Sequence, residues 1–171
     1  MCNFIGIRVT PSYIYYSICT KENGEITNIG VDKVIVPKAL NLIEKLCYIR
    51  TTFFSIFNEY NIKNATIRQI EPSAMGNDAK AIISRVNLEG VLLELLGNSS
   101  IEKYCIGAMS TMSRNLNLSS KDLKAIFDGS NYFGIPEWEK KQKEEREAII
   151  CAIISTSLGG TENGESKSLL S

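Results

Sequence analysis

The feature of this sequence that most limits its possible folds is a run of three strand-like segments before the first helical pattern. Residues 4–10 alternate as a strand, Pro11-Ser12 interrupts them, and residues 13–19 resume with aromatic and β-branched side chains. Asn23-Gly24 then predicts a tight hairpin, because both residues tolerate the positive φ angles of such turns. A third segment runs from Ile26 to Val36. The chain is therefore expected to open with three antiparallel strands.

Helical and strand-like patterns alternate after this opening. The predicted elements are a helix over 38–60, a buried strand over 65–70, a helix over 78–96, a strand over 101–108, a short helix after Ser119 and a last helix from Glu137 to about Ser157. The order β-β-β-α-β-α-β-α predicts an α/β fold, in which helices flank a mixed five-stranded sheet.

Length and composition indicate one domain. With 171 residues, 44% of them hydrophobic, the chain is long enough for one core, which we place at residues 1–157. The polar segment 158–171 is expected to be a disordered tail. No apolar run approaches the length of a membrane span, and the N-terminus has no basic leader pattern, so we expect a cytoplasmic protein.

Residue types exclude several chemistries. The sequence has no histidine, which removes Ser-His triads, Cys-His dyads and imidazole metal ligands. Its five cysteines are scattered without a CxxC pair, so a disulfide framework or zinc site is not expected, and most of them are predicted to be buried thiols. The formal net charge is zero, whereas proteins that grip duplex nucleic acid alone usually carry a basic surplus. Contact with nucleic acid would therefore need a local basic patch.

Four parts of the chain carry a family resemblance. Ile5-Gly6-Ile7-Arg8 lies in the first strand, Ile70-Glu71 ends the fourth strand, residues 85–91 lie in the second helix and residues 144–149 in the last helix. In this order and spacing they resemble the RuvC type of RNase H-like nuclease, which acts on Holliday junctions. The stretch 113–127 resembles the segment that precedes the last helix in that family.

The resemblance implies an altered metal site. RuvC-type enzymes place an aspartate after Gly-Ile in the first strand, a glutamate at a strand end and two aspartates in the last helix, and these carboxylates hold two Mg²⁺ ions. This chain has Arg8 in place of the metal-bridging aspartate, Glu71 at the strand end, and Glu144 and Glu147 in the helix. Arg8 would then pair with Glu71 and with Glu144 or Glu147. Without activity no cofactor is expected; with activity, Glu71 and Glu147 would bind Mg²⁺.

Each of these residues also has an ordinary structural interpretation. Glu71 could end a strand in solvent, and Glu144 and Glu147 belong to a charged run typical of a solvated helix face. A charge inside an opening strand should be outward-facing or paired, which applies to Arg8. Three nearby tyrosines could stack on bases, but packing across strands is favoured; they are Tyr13, Tyr15 and Tyr16.

The preferred interpretation is a RuvC-like protein without catalytic activity. It would act as a binding and dimerisation module in a nucleic-acid-processing assembly, with protein partners and with nucleic acid as a possible partner. The resemblance implies a homodimer through helix 78–96, where Val91, Leu92 and Leu95 are expected to form an exposed patch.

Two alternatives remain open. The first is an active metal-dependent endonuclease that uses Glu71, Glu144 and Glu147, with Asp32 or Asp78 as a substitute ligand and Arg8 on a phosphate. The second is a non-nucleolytic phosphate or nucleotide binder on the same fold. The sequence contains neither GxxxxGK[ST] nor GxGxxG, the glycine-rich motifs that cradle phosphates.

Overall fold

Five strands and five α-helices make up the described part of the chain, which in the computed structural model comprises residues 2–69, 71 and 78–158. The strands are β1 (Cys2–Val9), β2 (Tyr13–Glu22), β3 (Glu25–Ile35), β4 (Ile62–Arg68) and β5 (Lys103–Gly107). The helices are α1 (Leu42–Glu59), α2 (Ala79–Gly97), α3 (Met109–Asn115), α4 (Ser120–Phe127) and α5 (Lys143–Ser155), with a 3₁₀ turn at Trp138–Lys140.

The strands form one mixed sheet in the order β3-β2-β1-β4-β5. β1 pairs antiparallel with β2 and parallel with β4, so the first strand lies at the centre of the sheet. The predicted hairpin is present, with Asn23 at φ 52° and Gly24 at φ 89°. The α/β architecture with three leading antiparallel strands is therefore confirmed.

Strand alternation assigns each side of the sheet its own helices. Ile5 and Ile7 of β1 join the core that α1 and α2 cover, together with Phe53 and Leu92. The residues that alternate with them face α5: Phe4 packs with Ala152, and Arg8 contacts Glu147. Because the side-chain period of a strand is two residues, β1 directs Ile5 and Ile7 to one layer and Phe4 and Arg8 to the other.

Gly6 allows an unusually close approach between β1 and α5. A Cβ atom at this position would lie 2.1 Å from the carbonyl oxygen of Ala148 and 2.1 Å from the backbone nitrogen of Ala152. Both atoms belong to the backbone and cannot rotate away. The absence of a side chain at Gly6 thus sets the depth at which α5 lies on the sheet centre.

The helices that follow β5 differ from the prediction. α5 begins at Lys143 rather than Glu137, because Gln142 forms a capping box with Glu145 and Glu137 adopts a left-handed conformation at φ 56°. Arg146 fixes the preceding loop, since its guanidinium donates to the backbone oxygens of Phe127, Trp138 and Glu139. α3 was not among the elements predicted from the sequence; it lies between the predicted strand 101–108 and the predicted short helix after Ser119.

Two predictions about burial are wrong. Leu92 and Leu95 are fully buried in the core, so they cannot form an exposed patch on α2. Of the five cysteines only Cys19 and Cys151 are buried. In both cases the sequence showed the apolar character of the segment, but it did not show which face of the helix or strand lies against the core.

Two further predictions concern the C-terminal tail and membrane-spanning segments. Of the tail predicted to be disordered, residues 159–171 lie outside the described residues. No helix in the described ranges is long and apolar enough to cross a membrane.

Candidate functional site

Two arginines meet at the carboxyl ends of the central strands. Arg8 near the end of β1 and Arg68 at the end of β4 are direct neighbours in the parallel register. Both side chains are largely buried, with 14% and 10% of their side-chain surface exposed. Two guanidinium groups so close together, away from water, require an anion between them.

Glu147 of α5 supplies that anion. One of its carboxylate oxygens contacts Arg8 Nε and the other contacts Arg68 Nη1, and the glutamate side chain is only 2% exposed. These contacts are ion pairs without aligned hydrogen-bond geometry, and the buried Arg68 Nε has no hydrogen-bond partner among the residues described. Arg8 Nη1 also donates to the backbone oxygen of Val9 at 3.1 Å. The interpretation of Glu147 as part of a solvated helix face is therefore wrong, and its pairing with Arg8 is observed.

Glu71 extends the cluster towards α3. Its Oε1 accepts a hydrogen bond from the backbone nitrogen of Met109 at 3.0 Å and lies 3.5 Å from Arg68 Nη2. The carboxylate thus binds the first turn of α3, where a negative charge is favoured by the unpaired N–H groups. Glu71 does not end its strand in bulk solvent, and it is held by Arg68 rather than by Arg8.

A third arginine lies within electrostatic reach of the first two. Arg85 of α2 donates from Nε to Glu89 Oε1 at 2.7 Å, and both side chains are largely buried. Burial is the main cause that lowers the pKa of Arg85, and the positive charges of Arg8 and Arg68 lower it further. The hydrogen bond and the charge of Glu89 act in the opposite direction. We call the six residues Arg8, Arg68, Arg85, Glu71, Glu89 and Glu147 the arginine–glutamate cluster.

The remaining candidate residues lie at the border of this cluster or away from it. Glu144 is half-buried on α5. Burial, and to a smaller extent the charge of Glu144, raises the pKa of Tyr15. The Tyr15 hydroxyl donates to Gln142 Oε1 at 3.2 Å. Asp78 caps α2 by accepting from Ala81 N at 3.0 Å. Asp32 lies on β3 opposite Tyr16 of β2, at the outer side of the sheet.

The sequence contained signals for the members that were missed. Arg68 stands in a short apolar strand predicted to be buried, and a buried charge needs a partner. Arg85 and Glu89 have the i,i+4 spacing of a helical ion pair. These signals identify paired charges, but they do not reveal that the three arginines share one end of the sheet.

The donor set does not fit a divalent metal ion. Carboxylates that bind Mg²⁺ must present their oxygens to the cation, whereas both oxygens of Glu147 face guanidinium groups. The guanidinium groups of Arg8 and Arg68 are cationic, so they compete with a metal ion for the Glu147 carboxylate. Within the described ranges, no group of three or more cysteine, aspartate or glutamate residues is arranged to hold a metal.

Comparisons with known proteins bear on the fold. Neither a protein-family model nor a curated protein sequence matches the chain. Among solved structures it is similar to Thermus thermophilus RuvC, with a TM-score of 0.67 at 11% identity over 89% of this chain and 92% of that one. RuvC of the same organism in complex with a Holliday junction substrate gives 0.66 at 10% identity, covering 89% and 91%.

The yeast mitochondrial Holliday junction resolvase Ydc2 is a more distant match. It gives a TM-score of 0.53 at 12% identity over 88% of this chain and 77% of that one. Each of these three structures matches at least 88% of this chain, in agreement with the fold that the sequence resemblance implies. The chain therefore has a RuvC-like fold of the RNase H type.

Proposed function

We propose that this chain is a RuvC-like protein that does not cleave nucleic acid and acts by binding, as a dimerising module of a nucleic-acid-processing assembly. The observation that carries the proposal is the position of Glu147 between Arg8 and Arg68. Thermus thermophilus RuvC was solved with a Holliday junction substrate, and that structure supports branched DNA as the first nucleic acid to test.

Electrostatics argue against metal-dependent cleavage at this site. Two unit charges 4 Å apart interact by about 4 kcal/mol at an effective dielectric constant of 20, so a divalent cation would be repelled by about 8 kcal/mol for each guanidinium at that distance. Glu147 is already neutralised by two such groups and offers little compensation. A two-metal phosphodiesterase needs the opposite arrangement, with carboxylates that clamp the ions.

Cleavage assays test the loss of activity directly. Four-way junctions, linear duplex DNA and RNA would be incubated with the protein in Mg²⁺ or Mn²⁺, and binding would be followed by fluorescence anisotropy over a range of salt concentrations. We expect no cleavage of any substrate. Cleavage that disappears in Glu71→Gln would overturn the proposal and favour the active endonuclease, with Mg²⁺ as its cofactor.

A reversion series separates the contribution of each arginine. Arg8→Asp introduces a carboxylate but leaves Arg68 on Glu147, so we expect no saturable Mn²⁺ binding by calorimetry. The double variant Arg8→Asp/Arg68→Ala removes both cations and is expected to bind Mn²⁺. Mn²⁺ binding by the unsubstituted protein at this site would contradict the electrostatic reasoning.

The dimer is proposed on a different set of residues from the predicted patch. The outward faces of α1 and α2 carry exposed apolar side chains, with Ile43 at 74% and Ile83 at 61% exposure, and Phe54 and Val86 also exposed. A twofold interface is self-complementary, so one such patch can bury itself against its copy. This keeps the predicted involvement of helix 78–96 while excluding Leu92 and Leu95.

Sedimentation velocity tests the dimer. We expect a dimer at micromolar concentration and a monomer in Ile83→Asp, because a charge on the patch disfavours burial. Ile35→Asp is the matched control, since Ile35 is 62% exposed on β3 and away from α1 and α2. A monomeric unsubstituted protein, or a dimer unaffected by Ile83→Asp, would exclude this interface.

A further inference from the structure

A groove of about 410 Å³ lies on the outer half of the sheet, beside the end of α1. Its floor includes Tyr16 and Ile18 of β2, and Tyr60, which follows α1, forms part of its border. Tyr16 packs its edge against Phe53 of α1, with ring centroids 5.8 Å apart. The groove therefore begins where the covering of the sheet by α1 ends.

Local backbone irregularity shapes the groove. The β2–β3 register shifts between Ile18 and Thr20, and Asn28 on the facing strand has φ 50°. A bulge of this kind bends and twists the strand that contains it. The concave surface is thus a consequence of the bulge and does not depend on a movable loop.

The opposite wall is held by hydrogen bonds. Asn3 Nδ2 donates to the backbone oxygen of Tyr60 at 2.6 Å, and Thr20 Oγ1 donates to Asn3 Oδ1 at 2.9 Å. These bonds connect Thr20 of β2 to Tyr60 at the end of α1 through the Asn3 side chain of β1. The lining is consequently preorganised, which reduces the entropic cost of binding.

The chemistry of the lining favours a cation. Of the nine residues that line the groove, Asp32 alone has an acidic side chain, and none is lysine or arginine. Two phenol rings, Tyr16 and Tyr60, accompany this carboxylate. Burial is the main cause that raises the pKa of Tyr16, and the charge of Asp32 is the next. This direction is expected where the local potential is negative.

We infer that this groove is a docking site for an arginine side chain of a partner protein. A guanidinium can pair with the Asp32 carboxylate and stack its planar face on a phenol ring, whereas a compact ammonium has no planar face to stack. The groove opens beside the edge strand β3, so the main chain of the partner can continue along the edge of the sheet. This inference is independent of the loss of nuclease activity, since none of the arginine–glutamate cluster lines the groove.

A peptide titration followed by ¹H–¹⁵N NMR tests the assignment. The probe is a capped pentapeptide with one arginine between glycines, and the matched ligand replaces arginine by citrulline, which has nearly the same shape without the charge. We expect saturable shifts at Tyr16, Asp32 and Tyr60 with the arginine peptide, and none with the citrulline peptide.

Two variants of β3 complete the test. Asp32→Asn is expected to weaken binding about fivefold, which is the upper range for one exposed ion pair. Glu25→Gln removes one negative charge from the same strand outside the groove and is expected to have no effect. Absence of saturable shifts, equal shifts with citrulline, or an unchanged affinity in Asp32→Asn would each overturn the inference.

Discussion

Replacing Glu147 by glutamine removes the one anion that lies between two buried guanidinium groups. The substitution keeps the size and planar end group of the side chain, so it changes charge with little change in packing. Arg8 and Arg68 would then face each other across a neutral amide. The variant therefore measures what the central charge contributes to the folded state.

Burial sets the expected magnitude. The side chain of Glu147 is 2% exposed, and those of Arg8 and Arg68 are 14% and 10% exposed. For ion pairs this deeply buried, removal of one partner costs about 3–5 kcal/mol, against about 0–1 kcal/mol for pairs on the surface. We expect Glu147→Gln to lower the free energy of unfolding by about 3–5 kcal/mol, because two uncompensated cations remain out of water.

Urea denaturation followed by circular dichroism measures this loss. Glu144→Gln is the matched control on the same helix: Glu144 is half-buried and has no ion pair among the described residues, so at most about 1 kcal/mol from the helix dipole is at stake. A loss below about 1 kcal/mol in Glu147→Gln would place the pair in the surface range. The reasoning that two fixed cations exclude a metal would then fail as well.

A triple replacement distinguishes charge imbalance from loss of shape. Arg8→Leu/Arg68→Leu/Glu147→Leu removes all three charges together, and buried ion networks replaced by apolar side chains are often neutral or stabilising. We expect the triple variant to be more stable than Glu147→Gln. A triple variant that is equally destabilised would show that packing of the long side chains, rather than their charge balance, determines the effect.

Two further predictions concern packing and thiol reactivity. Gly6→Ala is expected to destabilise the fold by about 3 kcal/mol or more in urea denaturation, because the added Cβ would meet the backbone of α5 at 2.1 Å. Gly90→Ala is the control, since Gly90 lies in α2 with open space around it, and this substitution should stabilise the fold by about 0.5–1 kcal/mol. Burial raises the pKa of Cys151 to about 12, so its thiolate is scarce near neutral pH. Alkylation followed by mass spectrometry should therefore modify the exposed Cys47 and spare Cys151 until the protein unfolds. Equal alkylation of the two thiols in the folded protein, or a tolerated Gly6→Ala, would contradict the corresponding burial.

The sheet could be predicted from the sequence because its signals are local. Asn23-Gly24 determines a hairpin by backbone conformation alone, and alternation on both sides of it determines two strands. The central position of β1 follows from the later βα units, which add parallel strands on its free side. Element order was therefore sufficient for the fold class.

Boundaries and helix faces were less accessible because they depend on contacts distant in sequence. The charged run before Arg146 has a helical composition, yet Arg146 binds three carbonyl groups of the preceding loop and α5 starts only at Lys143. Leu92 and Leu95 are apolar in either orientation of α2, and only packing against the sheet decides that they face inwards. Helix boundaries and buried helix faces of this kind are determined by tertiary contacts, which single-sequence patterns do not encode.

The candidate site shows why one substituted residue was not enough to infer its chemistry. With Arg8 alone on Glu147, the second carboxylate oxygen would stay available and could act together with Glu71 on a cation. Arg68 removes both possibilities, since it contacts the remaining oxygen of Glu147 and also approaches Glu71. Glu71 in turn accepts from the start of α3, which gives this carboxylate a structural partner of its own. The case against metal binding thus depends on a second arginine in the neighbouring strand, because two strands and the last helix then meet at the Glu147 carboxylate.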